Sequence, residues 1–353
     1  SSHDYAAMRM ANGGEVIEQK TNGWLIQLVG KRLRLPDSCL HAVEWAAYCT
    51  LLLPYLCYKL SQGSRARPDL KCSEYAFQLF GWCGVPPALP PSVVTSSRAV
   101  PDPSFLRFVT VSDTHNQHAS IDLPEGDVLV HCGDFTNHGS MAEVKAFAQW
   151  FASRPHRHKI VVPGNHDMLM HRDYYAAYWN DWSATKESTD EAFALFEREG
   201  VHILVDSSVE VEGVHIYGSP WVPCYASWQT AFNALTPAAI AAQWQRIPAD
   251  TDVLLTHCPP FGILDRDVFG DHSGCAELLA AVLRRATPPS FHVFGHVHSD
   301  WGAKQTEHTC FVNASSVTDF YSTAGRKPLC FDVAKGRRHE EVRCGGDGGG
   351  ASR

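Results

Sequence analysis

Five short apolar runs in this chain each stop at residues that bind metal ions. Phe105–Val111 leads into Asp113-Thr114-His115, and Val128–His131 into Gly133-Asp134. Lys159–Val162 leads into Gly164-Asn165-His166-Asp167, Val253–Thr256 into His257, and Phe291–Phe294 into Gly295-His296-Val297-His298. Runs of this length read as buried strands, and helical stretches separate most of them, as at Met141–Ser153, Tyr174–Trp182, Glu191–Glu199, Pro237–Arg246 and Cys275–Arg285. Strands alternating with helices specify an α/β domain with a mostly parallel sheet. The later strands have short connections and suggest a second sheet stacked on the first. The predicted architecture is a two-sheet β-sandwich flanked by helices, preceded by a small α-helical extension. In α/β sheets ligands gather at the carboxyl ends of strands, which is where every one of these clusters falls.

The rest of the chain divides around this region. Residues 1–38 form an arm, and 39–83 read as two helical pieces broken at Ser61-Gln62-Gly63-Ser64. Residues 84–104 are proline-rich and read as a linker that forms no packed element. The α/β domain covers 105–335, and 336–353 form a flexible tail ending in a glycine-rich stretch. The longest apolar stretch, Trp45–Tyr58, is shorter than the ~20 residues of a membrane span, and Pro54 interrupts it, so no transmembrane span is expected. No signal-peptide pattern is evident after Ser1. The net charge of −8 argues against a general nucleic-acid binder, which needs a basic face.

The ligand types define a chemistry. A phosphodiester is anionic and repels an attacking hydroxide. Two metal ions meet this difficulty by acidifying a water and neutralising the phosphate oxygens, and at ~3.5–4 Å separation they share a bridging ligand. Asp134 is the natural bridge, since it follows a buried strand and a glycine. Asp113 and His115, like His296 and His298, stand two residues apart, so on an extended chain each pair points to one side. Asn165 adds a ligand without adding charge. Oxygen and nitrogen donors without thiolate suit Mn, Fe or Zn.

Taken together, D-x-H, G-D, G-N-H-D, a lone His and G-H-x-H resemble the motifs of the calcineurin-like metallophosphoesterase superfamily over about residues 105–335. Tyr217-Gly218-Ser219-Pro220-Trp221, Thr256-His257-Cys258-Pro259-Pro260, Gly274-Cys275-Ala276-Glu277-Leu278-Leu279 and Val312-Asn313-Ala314-Ser315 resemble its metallophosphoesterase-domain-containing branch, which is related to class III cyclic nucleotide phosphodiesterases. The resemblance implies that Asp113, His115, Asp134 and His298 hold one metal, and that Asp134, Asn165, His257 and His296 hold the other. It implies phosphodiester hydrolysis by a hydroxide between the two metals. His166 would assist at the scissile phosphate or the leaving oxygen, with Asp167 orienting its ring. The substrate expected is a phosphate ester, a cyclic nucleotide being one option. His118, His138, His171 and His272 read as surface or supporting residues, with His272 the best placed among them for a substrate contact.

Nine residues separate Cys39 from Cys49, and ten separate Cys72 from Cys83, on the two helical pieces of the extension. This resembles the twin C-x9-C hairpins of the mitochondrial intermembrane space, which implies pairing of Cys39 with Cys83 and of Cys49 with Cys72. A bonded hairpin points to a mitochondrial location, and ordinary buried cysteines leave a cytoplasmic one open. Residues 1–104 would then serve as a protein-docking region. The reading from a different class is an accessory subunit of a larger assembly that uses the phosphoesterase fold as scaffold.

Overall fold

The computed structural model of the protein describes residues 93–94, 102–224 and 230–336. The cysteine-bearing hairpin expected at 39–83 lies outside the described residues, as do the arm and residues 337–353. In chain order the strands are β1 (Val93–Val94), β2 (Phe105–Val111), β3 (Val128–Cys132), β4 (His158–Val162), β5 (His202–Ile203), β6 (Ser207–Val211) and β7 (Val214–Ser219). They continue as β8 (Val222–Pro223), β9 (Asn233–Ala234), β10 (Val253–Thr256), β11 (Phe291–Phe294), β12 (Gly302–Gln305), β13 (Cys310–Asn313) and β14 (Leu329–Ala334). The α-helices are α1 (Met141–Ala152), α2 (Arg172–Tyr178), α3 (Thr189–Arg198), α4 (Pro237–Trp244) and α5 (Ala276–Leu283).

Two six-stranded sheets result, in the orders β1-β14-β2-β3-β4-β5 and β12-β13-β11-β10-β7-β6. Within them β2 through β5, and β7, β10, β11 and β13, pair in parallel, while β1, β14, β6 and β12 pair antiparallel. The period-2 alternation of the strands explains the layering. Leu106, Phe108, Val128, Val130, Ile160 and Val162 of the first sheet share one core with Ile216, Val253, Leu255 and Val293 of the second. Phe331 stacks on Phe108 and on Phe291, at 5.2 and 3.9 Å between ring centroids, and so joins the two sheets. The alternate residues face outward. Val109, Leu129 and Val161 pack under Val144, Phe147 and Phe151 of α1 and Phe196 of α3. Leu254, Phe294 and Phe311 pack under Ile240 and Trp244 of α4 and Leu278 of α5. Full burial of each such side chain stabilises the fold by roughly 1.5–3 kcal/mol.

Residues 84–104 depart from the linker expectation at one point. Val93–Val94 forms β1, an edge strand on β14, and Val93 is buried. Two β-branched residues fit a pleated surface, and an edge strand tolerates the neighbouring prolines.

The start of α1 matters for function. Ser140 and Glu143 form a capping box, in which the Glu143 amide donates to Ser140 Oγ and the Ser140 amide donates to Glu143 Oε2. The other oxygen of Glu143 accepts from the Asn116 side chain at 2.5 Å and from the Asn137 amide at 3.1 Å. The helix cap therefore ties together the loops that follow β2 and β3.

Candidate metal centre

Past the ends of the parallel strands the loops stay zipped together. The amides of Asp113, His115 and Asn116 donate to the carbonyls of Gly133, Asp134 and Phe135 at 2.8, 3.0 and 3.2 Å. On the second sheet the Gly295 amide donates to the His257 carbonyl at 3.1 Å. Asp113, His115 and Asp134 come from the first sheet, and His257, His296 and His298 from the second. The site straddles the seam between the sheets, and neither sheet could build it alone.

The approach is too close for side chains at glycines of the site, as two of them show. A Cβ on Gly164 would collide with the carboxylate and amide of Asp134, and one on Gly295 with Asp113 and the Ser112 hydroxyl. The backbone is also unusual. Asp113, His115, Asp134 and His296 all adopt left-handed conformations, with φ of 52°, 40°, 57° and 68°. The extended stretches expected at D-x-H and G-H-x-H are therefore absent. Each motif turns sharply instead, because an extended chain would run out of the site before its second ligand could face inward. Such conformations cost of order 1–3 kcal/mol each and persist where the surroundings over-determine them.

The expected residues converge in two groups. Asp113, His115 and His298 form one, and Asp134, His257 and His296 the other, with their ligand atoms within 4.8 Å of one another in each group. Asp134 also reaches the first group, its Oδ2 lying 3.7 Å from His115 Nε2 and 3.3 Å from His257 Nε2. Asn165 Oδ1 stands 2.9 Å from His257 Nε2.

The donor atoms demand a cation. His257 Nδ1 lies 2.8 Å from the Cys132 carbonyl, which only accepts, so Nδ1 carries the hydrogen and Nε2 offers a lone pair. That lone pair faces two further acceptors, Asp134 Oδ2 and Asn165 Oδ1. Both ring nitrogens of His115 are buried without a hydrogen-bond partner. Burial opposes charge on His257, yet Asp134 overrides it and raises the imidazole to about 9. Burial likewise opposes charge on His298, and Asp113 overrides it to raise that ring. Burial pushes His296 down to about 3 and His115 well below the ordinary histidine range. Asp113 and Asp134 resist the upward push of burial and stay below the carboxylate range, through His298 and His257 respectively. The cluster thus draws protons to its centre, and metal ions answer the same demand with more charge. Oxygen and imidazole donors with no thiolate fit ions such as Mn, Fe or Zn.

Supporting contacts hold the ligands. Asp113 accepts from the His296 amide at 3.0 Å and from the Ser315 hydroxyl at 2.8 Å. Behind the first sheet's loops, buried His131 Nε2 meets the Thr114 hydroxyl at 3.1 Å.

His166 and Asp167 diverge from the expected pair. His166 Nδ1 lies 3.0 Å from the Asn137 carbonyl, which orients the ring and leaves Nε2 free for proton transfer. The His166 ring sits edge-on to His115 at 5.0 Å, at the rim of the first group. The Asp167 carboxylate is engaged elsewhere. It accepts from the amides of Gly164, Asp134 and Thr136 and from the Thr136 hydroxyl, at 2.7, 2.9, 2.9 and 2.8 Å. Asp167 therefore binds two loops together and does not orient His166. Burial, with help from Asp134, pushes it up to about 8.

Other histidines resolve into structural parts. His118 is buried against Phe147 and Trp150, contrary to a surface placement, and burial pushes it down to about 4. His171 stacks on Phe232 and accepts that residue's amide at 2.8 Å. His272 Nδ1 meets buried Asp265 at 2.6 Å. Tyr321 escaped the sequence reading. Its ring lies against His115 and His298, in the long loop between β13 and β14 and well past the last quoted motif.

Two sheets with paired ion-binding groups across their seam define a metal-dependent phosphoesterase domain. The model of the family described as calcineurin-like phosphoesterase matches residues 106–300, and the chain belongs to that family. Within it the chain is similar to metallophosphoesterase domain-containing protein 1 of Homo sapiens and of Mus musculus. It is 39% identical to each over 241 residues, which cover 65% of this chain and 72% of those proteins. A UPF0046 protein of Caenorhabditis elegans is 37% identical over 236 residues, covering 65% of this chain and 81% of its own.

Proposed function

We propose that this chain hydrolyses phosphodiesters at a centre of two metal ions. The observation that carries the reading is Asp134, whose carboxylate lies between the two ligand groups and within 3.7 Å of His115 Nε2 and 3.3 Å of His257 Nε2. Asp113, His115, Asp134 and His298 would hold one ion, and Asp134, Asn165, His257 and His296 the other. Mn, Fe and Zn all suit these donors. When bound, such a pair activates a water and neutralises charge on the phosphate oxygens.

The chain's own residues supply the rest. His257 presents Nε2 to its ion because the Cys132 carbonyl holds Nδ1–H. His166 is kept with Nε2 outward by Asn137, at the rim of the first group, where it can give a proton to the leaving oxygen. Glu143 anchors Asn137 from the cap of α1, so the helix sets the position of the proton donor. The resemblance to a branch related to class III cyclic nucleotide phosphodiesterases favours a diester, with cyclic nucleotides among the candidates.

The test is hydrolysis of bis-p-nitrophenyl phosphate by the purified chain with added Mn²⁺. Activity is expected in the wild type, with large losses in Asn165→Ala and His166→Ala. Rates unchanged by either substitution would overturn the reading.

A further inference from the structure

Tyr321 belongs to none of the motifs and has no part in the chemistry above, yet it faces the centre directly. Its ring meets His115 at 4.7 Å and 73°, and His298 at 5.6 Å and 88°. These two histidines come from different sheets, so the ring spans the seam over one ligand group. The residue is half-buried.

The turn that presents the ring is specifically built. The Tyr321 amide donates to the Thr318 carbonyl and the Thr318 amide to the Ser322 carbonyl, both at 2.8 Å. The side-chain amide of Gln117, two residues beyond His115, donates to the Tyr321 carbonyl. Tyr321 itself is left-handed, with φ of 58°. That conformation is uncommon for a bulky residue, and it recurs here at four of the ligands. Packing alone would be served by an aromatic ring in ordinary backbone. The ester oxygens of a bound phosphate are acceptors, and a phenol at this place offers a donor that the histidine ligands, committed to metal, do not.

We infer that Tyr321 is a phosphate-binding residue, its hydroxyl donating a hydrogen bond to a phosphate oxygen of the substrate at the Asp113–His115–His298 half of the centre. This deepens the proposed function and rests on it for the identity of the substrate. The role is positioning of the bound ester. Loss of the hydroxyl should therefore weaken binding of ground and transition states alike, raising KM more than it lowers kcat.

The experiment compares the full chain with Tyr321→Phe and Tyr321→Ala. Bound manganese is measured per chain, affinity for inorganic phosphate by calorimetry, and kcat and KM on bis-p-nitrophenyl phosphate. Tyr321→Phe should keep the wild-type manganese content while its phosphate affinity falls about tenfold or more, as expected for a hydrogen bond to a charged group. Tyr321→Ala, if it folds, should lose at least as much. Wild-type phosphate affinity in Tyr321→Phe overturns the inference. So does a loss that merely tracks lost manganese, or a loss confined to Tyr321→Ala. Phosphate binding is read without turnover, which separates the two readings. A wild type that binds phosphate through Tyr321 but hydrolyses no ester would sink the proposed function alone. An active wild type matched by Tyr321→Phe would sink this inference alone.

Discussion

His257 Nε2 lies 3.3 Å from Asp134 Oδ2, and its Nδ1 is held at 2.8 Å by the Cys132 carbonyl. The first residue follows β10 of the second sheet and the other two belong to β3 and its loop in the first, so this single contact locks the sandwich seam at the site. Replacing Asp134 with Asn removes the negative charge between the two groups and leaves one acceptor oxygen of two. Activity and metal affinity should each fall by more than the roughly 10–100-fold typical of lost supporting residues at metal sites. Metal titration of the variant beside its kinetics measures both.

Chelation should destabilise the domain. Buried His115 and His257, half-buried His296 and His298 and two buried aspartates are packed around the centre, and the ring nitrogens of His115 have no hydrogen-bond partner. An ion held at a hundred times its Kd stabilises the native state by about 2.7 kcal/mol. Removing it should lower Tm by at least about 5 °C, at about 2–4 °C per kcal/mol for a domain of this size. Calorimetry with EDTA, then with Mn²⁺ restored, is the check. An unchanged Tm would show that the cluster binds no ion.

Asp167→Asn distinguishes two roles for one carboxylate. Its oxygens accept from four donors that join the loops after β3 and β4, and none of these is the His166 ring. The variant places an NH₂ group against at least one of those donors. We expect a loss of about 1–3 kcal/mol in stability, from a buried group left unsatisfied, with weaker metal binding. In the residual activity, adding His166→Ala should cost as large a factor as it does in the wild type. A smaller factor would show that Asp167 acts through His166 after all.

Glu143→Gln should act on catalysis from a distance. One oxygen of Glu143 binds Asn116 and Asn137, and the other closes the cap of α1. Losing the charge costs about 1 kcal/mol of cap stability. It should also lower kcat with little change in bound metal, because Asn137 positions His166. Equal losses in metal and kcat would contradict this.

Buried His292 makes stability depend on pH. The Thr256 hydroxyl donates to the Cys258 carbonyl at 2.7 Å, so its oxygen accepts from His292 Nε2–H at 2.8 Å. Nδ1 is left buried and unpartnered, and burial pushes the imidazole down to about 3. The folded state therefore binds its proton less readily than the unfolded chain. Stability from this residue is complete above the unfolded value of about 6.5 and is lost as pH falls toward 3, at up to about 1.4 kcal/mol per pH unit. Denaturant melts of EDTA-treated protein between pH 6.5 and 4 should show a shallower slope in His292→Asn than in the wild type.

Much of the site was legible in sequence because strand ends announce themselves. An apolar run that stops at a polar, metal-binding residue marks a loop at the end of a strand, and Asp113, Asp134, Asn165, His257 and His298 all stand at such ends. Geometry beyond the strand end was not legible. Residue spacing at D-x-H suggests an extended chain, while contacts with the loop after β3 impose the left-handed turns at Asp113 and His115. The family resemblance implied that Asp167 orients His166, yet neighbouring side chains need not share a partner, and Asn137, far back in sequence, does that work. Val93–Val94 was hidden among prolines, and Tyr321 stands in a turn with no periodic signal. Both are placed by tertiary contacts that no local pattern encodes.

The most direct measurement is anomalous diffraction from crystals of the Mn²⁺-loaded chain. The account predicts two peaks on either side of the Asp134 carboxylate, about 3.5–4 Å apart as in two-metal hydrolases. A single peak, or none within reach of Asp134, would contradict it.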